Sequence, residues 1–141
     1  MNYQICRFKG RMIQHPDITV LYLDDEKDNL FVFKANFNRK FEVITTLSPA
    51  DALHELDLHH EDIIVVISDM RMPDMNGVEF IKQAKAKYEN IFYYILTGYG
   101  HNQEIEEAIE DKLIEKYFTK PFDALEIEKA ILDATSHLRR N

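Results

Sequence analysis

Asp24-Asp25-Glu26 closes the apolar run Thr19–Leu23, and Asp69 closes Ile63–Ser68. Thr97-Gly98 closes Ile91–Leu96, and Thr119-Lys120-Pro121 closes the short Tyr117–Phe118. Brought to one rim, these residues make a carboxylate cluster beside a hydroxyl and an ammonium. Two carboxylates about 4 Å apart repel by about 4 kcal/mol at an effective dielectric of 20, a cost that calls for a cation. Oxygen donors alone favour Mg²⁺, which takes a few protein ligands and keeps several waters. An aspartate can itself be a nucleophile that carries a phosphoryl group. Such a transfer needs an in-line nucleophile, a bridging cation and donors for the remaining oxygens. Asp69, Mg²⁺, Lys120 and Thr97 supply those parts.

The elements that must position these residues are legible in the hydrophobic pattern. Ile63-Ile64-Val65-Val66-Ile67 is apolar without alternation, as befits a strand covered on both faces. Phe41–Thr46 is the remaining strand-like run. Between the runs lie residues at helical spacing: Leu30, Phe33 and Phe37, then Phe80, Ile81 and Ala84. Ile105, Ala108, Ile109 and Leu113 continue the pattern, as do Ile127, Ala130, Ile131, Ala134 and Leu138. Ser48-Pro49 reads as an N-cap followed by proline in the first helical position. Asn76-Gly77-Val78-Glu79 and Asp123-Ala124-Leu125-Glu126 each set a cap residue three places before a glutamate. Five strands alternating with helices predict right-handed βαβ units and a doubly wound parallel sheet, an α/β fold of the (βα)5 kind. In such sheets function gathers beyond the carboxyl ends of the strands.

Composition narrows the classes further. The 141 residues, 45% hydrophobic and 30% charged, suit one ordinary globular domain. The single cysteine, Cys6, has no partner in the chain. A net charge of -8 opposes direct binding to nucleic acid. The longest wholly apolar run, Ile63–Ile67, is too short to span a bilayer. Arg7, Lys9 and Arg11 are not followed by the apolar core of a secretory signal. The expectation is a cytoplasmic protein without membrane attachment.

Leu23-Asp24-Asp25-Glu26, Ser68-Asp69-Met70-Arg71-Met72-Pro73-Asp74-Met75-Asn76-Gly77, Leu96-Thr97-Gly98 and Thr119-Lys120-Pro121-Phe122 together resemble response-regulator receiver domains of two-component signalling, of the chemotaxis-regulator type. The resemblance runs from about Ile18 to about His137. It implies a flavodoxin-like strand order, 2-1-3-4-5. By position, Asp69 resembles the phosphoacceptor and Asp25 the direct Mg²⁺ ligand. Asp24 resembles the acid that acts on the metal through water, and the main-chain carbonyl of Arg71 faces the metal. Thr97 resembles the switch hydroxyl, Lys120 the lysine that pairs with the acceptor, and Tyr117 the switch aromatic. Pro121 falls where the family usually has a cis peptide. The implied partner is a sensor histidine kinase or phosphotransfer protein, with homodimerisation on phosphorylation as a further expectation. The implied output is the face of the fourth helix, fifth strand and fifth helix. Such a protein signals rather than catalysing metabolism, its own chemistry being Mg²⁺-dependent autophosphorylation and autodephosphorylation.

Two rivals read the same residues differently. Aspartyl-phosphate hydrolases also place a nucleophilic aspartate at a strand end, but usually as Asp-x-Asp on the first strand, where this chain has Asp-Asp-Glu. A flavin-binding module of similar fold would bring a phosphate to a rim that repels it. Other polar clusters have plainer roles. His54, His59 and His60 lack a metal-ligand spacing. The run Glu104, Glu106, Glu107, Glu110 and Asp111 reads as the wet face of the fourth helix, and Met70, Met72 and Met75 as packing. The domain is expected over residues 18–139. Residues 1–17 form an extension without counterpart in the family, readable as disorder, as an added strand, or as the product of a start upstream of Met12.

Overall fold

The computed structural model describes residues 6–8, 10–98 and 102–139. The chain forms β1 (Cys6–Phe8), β2 (Arg11–Ile13), β3 (His15–Leu23), α1 (Lys27–Phe37), β4 (Phe41–Thr46), α2 (Pro49–His59), β5 (Ile63–Asp69) and α3 (Gly77–Lys87). It continues with β6 (Phe92–Thr97), α4 (Gln103–Glu110), β7 (Lys116–Thr119) and α5 (Ala124–Arg139). One five-stranded sheet runs β4-β3-β5-β6-β7 with every pairing parallel. Counted among its own strands this is the order 2-1-3-4-5.

The continuous apolar runs are explained by burial on both faces. One face packs Val20, Tyr22, Val65 and Ile67 against Phe33 and Phe37 of α1 and Ile127 and Ile131 of α5. The other packs Leu21, Leu23, Val66 and Ile95 against Leu56 of α2, Phe80 and Ile81 of α3, and Ile105 of α4. Successive strand residues alternate between the two clusters, as the pleat requires.

Several helix ends follow the local signals. The Ser48 side chain accepts from the Asp51 N–H at 3.1 Å, with Pro49 opening α2. Asn76 and Glu79 form a full capping box at 2.9 and 3.0 Å. Asp123 accepts from the Leu125 N–H at 2.9 Å. The end of α4 departs from the hydrophobic period. The Leu113 N–H reaches the Ala108 carbonyl at 2.8 Å and the Lys112 N–H reaches Ile109 at 3.0 Å, a Schellman motif. Lys112 occupies the left-handed position at φ 61, where a glycine would have advertised the stop. Leu113 therefore lies past the helix, although its side chain still joins the core. Leu138 is 37% exposed and sits outside the buried stripe of α5.

The N-terminal segment adds a strand pair. β1 and β2 form an antiparallel hairpin with Gly10 at φ 80 in its turn, a conformation that favours glycine. The following Gln14 and His15 donate to the carbonyls of Arg39 and Lys40, both at 2.8 Å, and so tie this segment to the entry of β4. β3 itself begins at His15, with a register shift between His15 and Thr19. Residues 1–5 and 9 lie outside the described part.

Candidate functional site

The ends of β3, β5, β6 and β7 meet at one rim because the strands are parallel neighbours. Asp69 is the last residue of β5 and 7% exposed. Asp24 and Asp25 follow β3 and diverge: Asp24 is wholly buried, Asp25 exposed. One carboxylate oxygen from each of Asp24, Asp25 and Asp69 lies within 4.8 Å of the others. Lys120, just past β7, donates to Asp24 Oδ2 at 2.9 Å and to Asp69 Oδ1 at 3.1 Å. Its own N–H bonds to the Thr97 carbonyl at 2.7 Å, which ties it to the end of β6. The Lys120–Pro121 peptide is cis.

Burial, and then the neighbouring charge of Asp24, push the Asp69 carboxyl up to about 6, against the pull of Lys120. Burial alone would lower Lys120, but bonds and charges from Asp24 and Asp69 outweigh it and hold the ammonium above its ordinary value. Thus the Lys120 ammonium bonds two of the three converging acids, and Asp69 still carries repulsion from Asp24. A second, divalent cation would relieve it, and oxygen-only donors suit Mg²⁺.

Thr97 ends β6 and is buried, 1% exposed, opposite Thr119 in register. Tyr117 and Phe118 point to opposite faces: Phe118 is buried with α1 and α5, whereas half-buried Tyr117 packs on the cluster containing Ile105 and Ala108 of α4. Arg71 lies two residues beyond Asp69, its side chain exposed.

A family model described as the response regulator receiver domain matches residues 20–132. The chain belongs to that family. This receiver is 34% identical over 113 residues to sporulation initiation phosphotransferase F of Bacillus subtilis, covering 79% of this chain and 89% of that protein. It is 31% identical over 104 residues to the hydrogenase transcriptional regulatory protein HoxA of Cupriavidus necator, covering 74% of this chain but only 21% of the regulator's length. Among solved structures, a response regulator receiver domain protein from Clostridium thermocellum superposes with a TM-score of 0.81 at 28% identity, covering 86% of this chain and 97% of the other. Receivers of this kind are signalling modules of two-component systems. Among the described residues no helix is long and apolar enough to cross a membrane.

The receiver's rim holds further residues that strand-end reading does not reach. Tyr22 donates its hydroxyl to Asp24 Oδ2 at 2.7 Å, and Asn29 donates to the same oxygen at 3.1 Å. Burial, then the Asp24 charge, push the Tyr22 hydroxyl far above its ordinary value, so it stays protonated and donates. A polar hydroxyl at an otherwise apolar strand position, two residues before an acid on the same face, was the available signal. Asn76 donates to both carboxylate oxygens of Glu104, at 3.0 and 3.1 Å, linking the start of α3 to α4. Glu104 is thus bonded to protein rather than simply wet.

Gly77 has a steric duty. Its N–H bonds to the Met70 carbonyl at 2.8 Å, and a Cβ there would stand 2.4 Å from the Asp69 carbonyl oxygen and 2.8 Å from Ile95 Cδ1. Gly77→Ala should therefore destabilise the receiver by about 1–3 kcal/mol, as overpacking against backbone does. Thermal melting checks it, and an unchanged midpoint would mean that α3 backs away freely.

Proposed function

We propose that this receiver accepts a phosphoryl group on Asp69 from a phosphohistidine of a sensor kinase or phosphotransfer protein. Its supports are the family, the phosphotransferase relative, and one observation above the rest: Lys120 bonds both Asp24 and Asp69 where three carboxylates converge. Asp24, Asp25, Asp69 and the main-chain carbonyl of Arg71 would hold Mg²⁺, which when bound neutralises charge on phosphoryl oxygens.

The chain's own residues then divide the work. The Asp69 carboxylate attacks phosphorus, a P–O bond forms, and the P–N bond breaks with its electron pair going to the departing imidazole. Lys120 is placed to exchange its bond to Asp69 for one to a phosphoryl oxygen. Thr97 follows another phosphoryl oxygen with its hydroxyl and vacates space at the end of β6. Tyr117 turns toward that space, and the α4, β7 and α5 face changes shape. A ring of this size buries roughly 150–250 Å², enough for its two positions to present different surfaces. That face is where a partner, or a second copy after phosphorylation, reads the signal. Phe31 and Val32 expose apolar surface on α1, Val32 in a groove shared with Lys120, and suit the phosphodonor. The receiver unit is residues 18–139, with β3 reaching back to His15 and the β1–β2 hairpin as an extension ahead of it. It works in the cytoplasm without touching nucleic acid directly, its only catalysis being phosphorylation and dephosphorylation of itself.

The test is uptake of phosphoryl from acetyl phosphate with Mg²⁺, followed by intact mass. One added group, stable in mild acid and lost in base, is the expected result. An unchanged mass under conditions that label an authentic receiver would overturn the reading.

A further inference from the structure

α4 is tied to α3 at both of its ends. At the start, Asn76 Nδ2 donates to the two carboxylate oxygens of Glu104 at 3.0 and 3.1 Å. The orientation of that amide is fixed, because Asn76 Oδ1 accepts the Glu79 N–H at 2.9 Å as the cap of α3. At the far end, Lys85 in the last turn of α3 donates to the Lys112 carbonyl at 2.6 Å, just beyond α4. The two ties lead to different places. Lys85 reaches α4 on a flexible stem. Asn76 directly precedes Gly77, whose N–H bonds the Met70 carbonyl at 2.8 Å and where a Cβ would stand 2.4 Å from the Asp69 carbonyl oxygen. The main chain of Asp69, the start of α3 and the start of α4 are thus in unbroken contact. Thr97 lies just ahead of α4 in the chain, so a pull on Thr97 toward Asp69 loads the same end of the helix.

We propose that the Asn76–Glu104 pair is an autoinhibitory latch, which holds the start of α4 in its unphosphorylated placement and opens when Asp69 is phosphorylated. The inference rests on Asp69 being the acceptor and Thr97 the hydroxyl that follows the phosphoryl group. It adds that the latch opposes phosphorylation and so sets how readily the receiver switches. A contact made in only one of two states biases the equilibrium by its own free energy, and by linkage biases binding at Asp69 equally. Both residues are half-buried, so water screens the bond in part and its worth is modest. Lys85 is the pivot about which the start of the helix swings.

The experiment is titration with beryllofluoride in saturating Mg²⁺, followed by calorimetry and amide shifts, on wild type, Asn76→Asp, Glu104→Ala and Lys85→Met. Aspartate is a good cap, so Asn76→Asp keeps the start of α3 but sets a carboxylate where the donor to Glu104 stood. Both latch variants should bind beryllofluoride about three- to tenfold more tightly, the worth of one net hydrogen bond. Without beryllofluoride, their α4 amides should already lie part of the way toward the bound wild-type positions. The double variant should gain no more than Glu104→Ala alone, because both changes remove the same contact. If Asn76→Asp folds poorly, Glu104→Ala serves by itself. Lys85→Met should melt earlier yet bind as the wild type does. A merely structural pair would also melt earlier without tightening binding, so the direction decides. Unchanged or weaker binding in the latch variants, or an equal gain in Lys85→Met, would sink this inference and leave the acceptor site standing wherever wild type binds. No binding by wild type would remove the proposed function and the inference together.

Discussion

Asp69→Ala is expected to take up no phosphoryl group from acetyl phosphate and Mg²⁺, while the wild type takes up one. The competing carboxylates are poorly placed to substitute. Asp24 is wholly buried and already accepts from Tyr22, Asn29, Lys120 and the Glu26 N–H, and Asp25 is exposed to water without a contact to Lys120 among the described bonds. Asp69 alone combines near-complete burial, a lysine at 3.1 Å and a place at the end of the central strand. Intact mass of both proteins decides it, and equal labelling would strip Asp69 of the role. The same substitution has a second signature without metal. The folded-state carboxyl sits near 6, above its ordinary 3.8. Between those values the unfolded chain releases its proton first, so the metal-free wild type gives up stability as pH rises through that window. Asp69→Ala lacks that slope, and urea titrations in chelator at pH 4 and pH 7 should show it.

Lys120→Ala should destabilise the metal-free receiver strongly and be partly repaired by Mg²⁺. Removing the ammonium leaves Asp24 and Asp69, 0% and 7% exposed, close to each other and to Asp25 without the ion pairs that Lys120 makes to both. Breaking a fully enclosed ion pair costs about 3–5 kcal/mol. Lys120 keeps some contact with solvent, so a loss on the order of 2–3 kcal/mol is the fitting expectation after that screening. Millimolar Mg²⁺ should recover part of it, because the cation answers the same repulsion. Phosphoryl uptake should persist at reduced rate, whereas the amide shifts that beryllofluoride induces in α4 should fail, as they should in Thr97→Ala. Melting in chelator and in Mg²⁺ measures the first part. A wild-type midpoint in chelator would mean that the acids are neutralised in some other way.

Short-range order was open to inspection in the chain. The run Ile63–Ile67 has the unbroken apolar pattern of a strand covered on both sides, and Ser48-Pro49 and Asn76-x-x-Glu79 can cap their own helices without help from distant residues. Where the stop signal was absent, the pattern ran on: Lys112 takes a left-handed conformation without being glycine, and Leu113 keeps the apolar period after the helix has ended. Tyr117 and Phe118 face opposite clusters because neighbouring strand residues must, which is a local property of the pleat.

The site itself divides in the same way. Which residues close the strands, and that a parallel sheet must bring Asp24, Asp69, Thr97 and Lys120 to one rim, followed from periodicity and the handedness of βαβ units. How those groups share their bonds did not. Lys120 lies 96 residues from Asp24 and 51 from Asp69, and no local pattern says that one ammonium serves both acids. Nor does adjacency tell Asp24 from Asp25: the turn after β3 buries one completely and leaves the other in water. Tyr22 reads as one more apolar strand residue until Phe33 of α1 stacks on it and turns its hydroxyl into a donor for Asp24. Sequence determined the inventory of chemistry and the rim on which it collects, because periodicity and capping act within a few residues. Tertiary structure alone decided the burial, charge pairing and donor count at each oxygen, because those depend on which distant side chains exclude water from the same few ångströms.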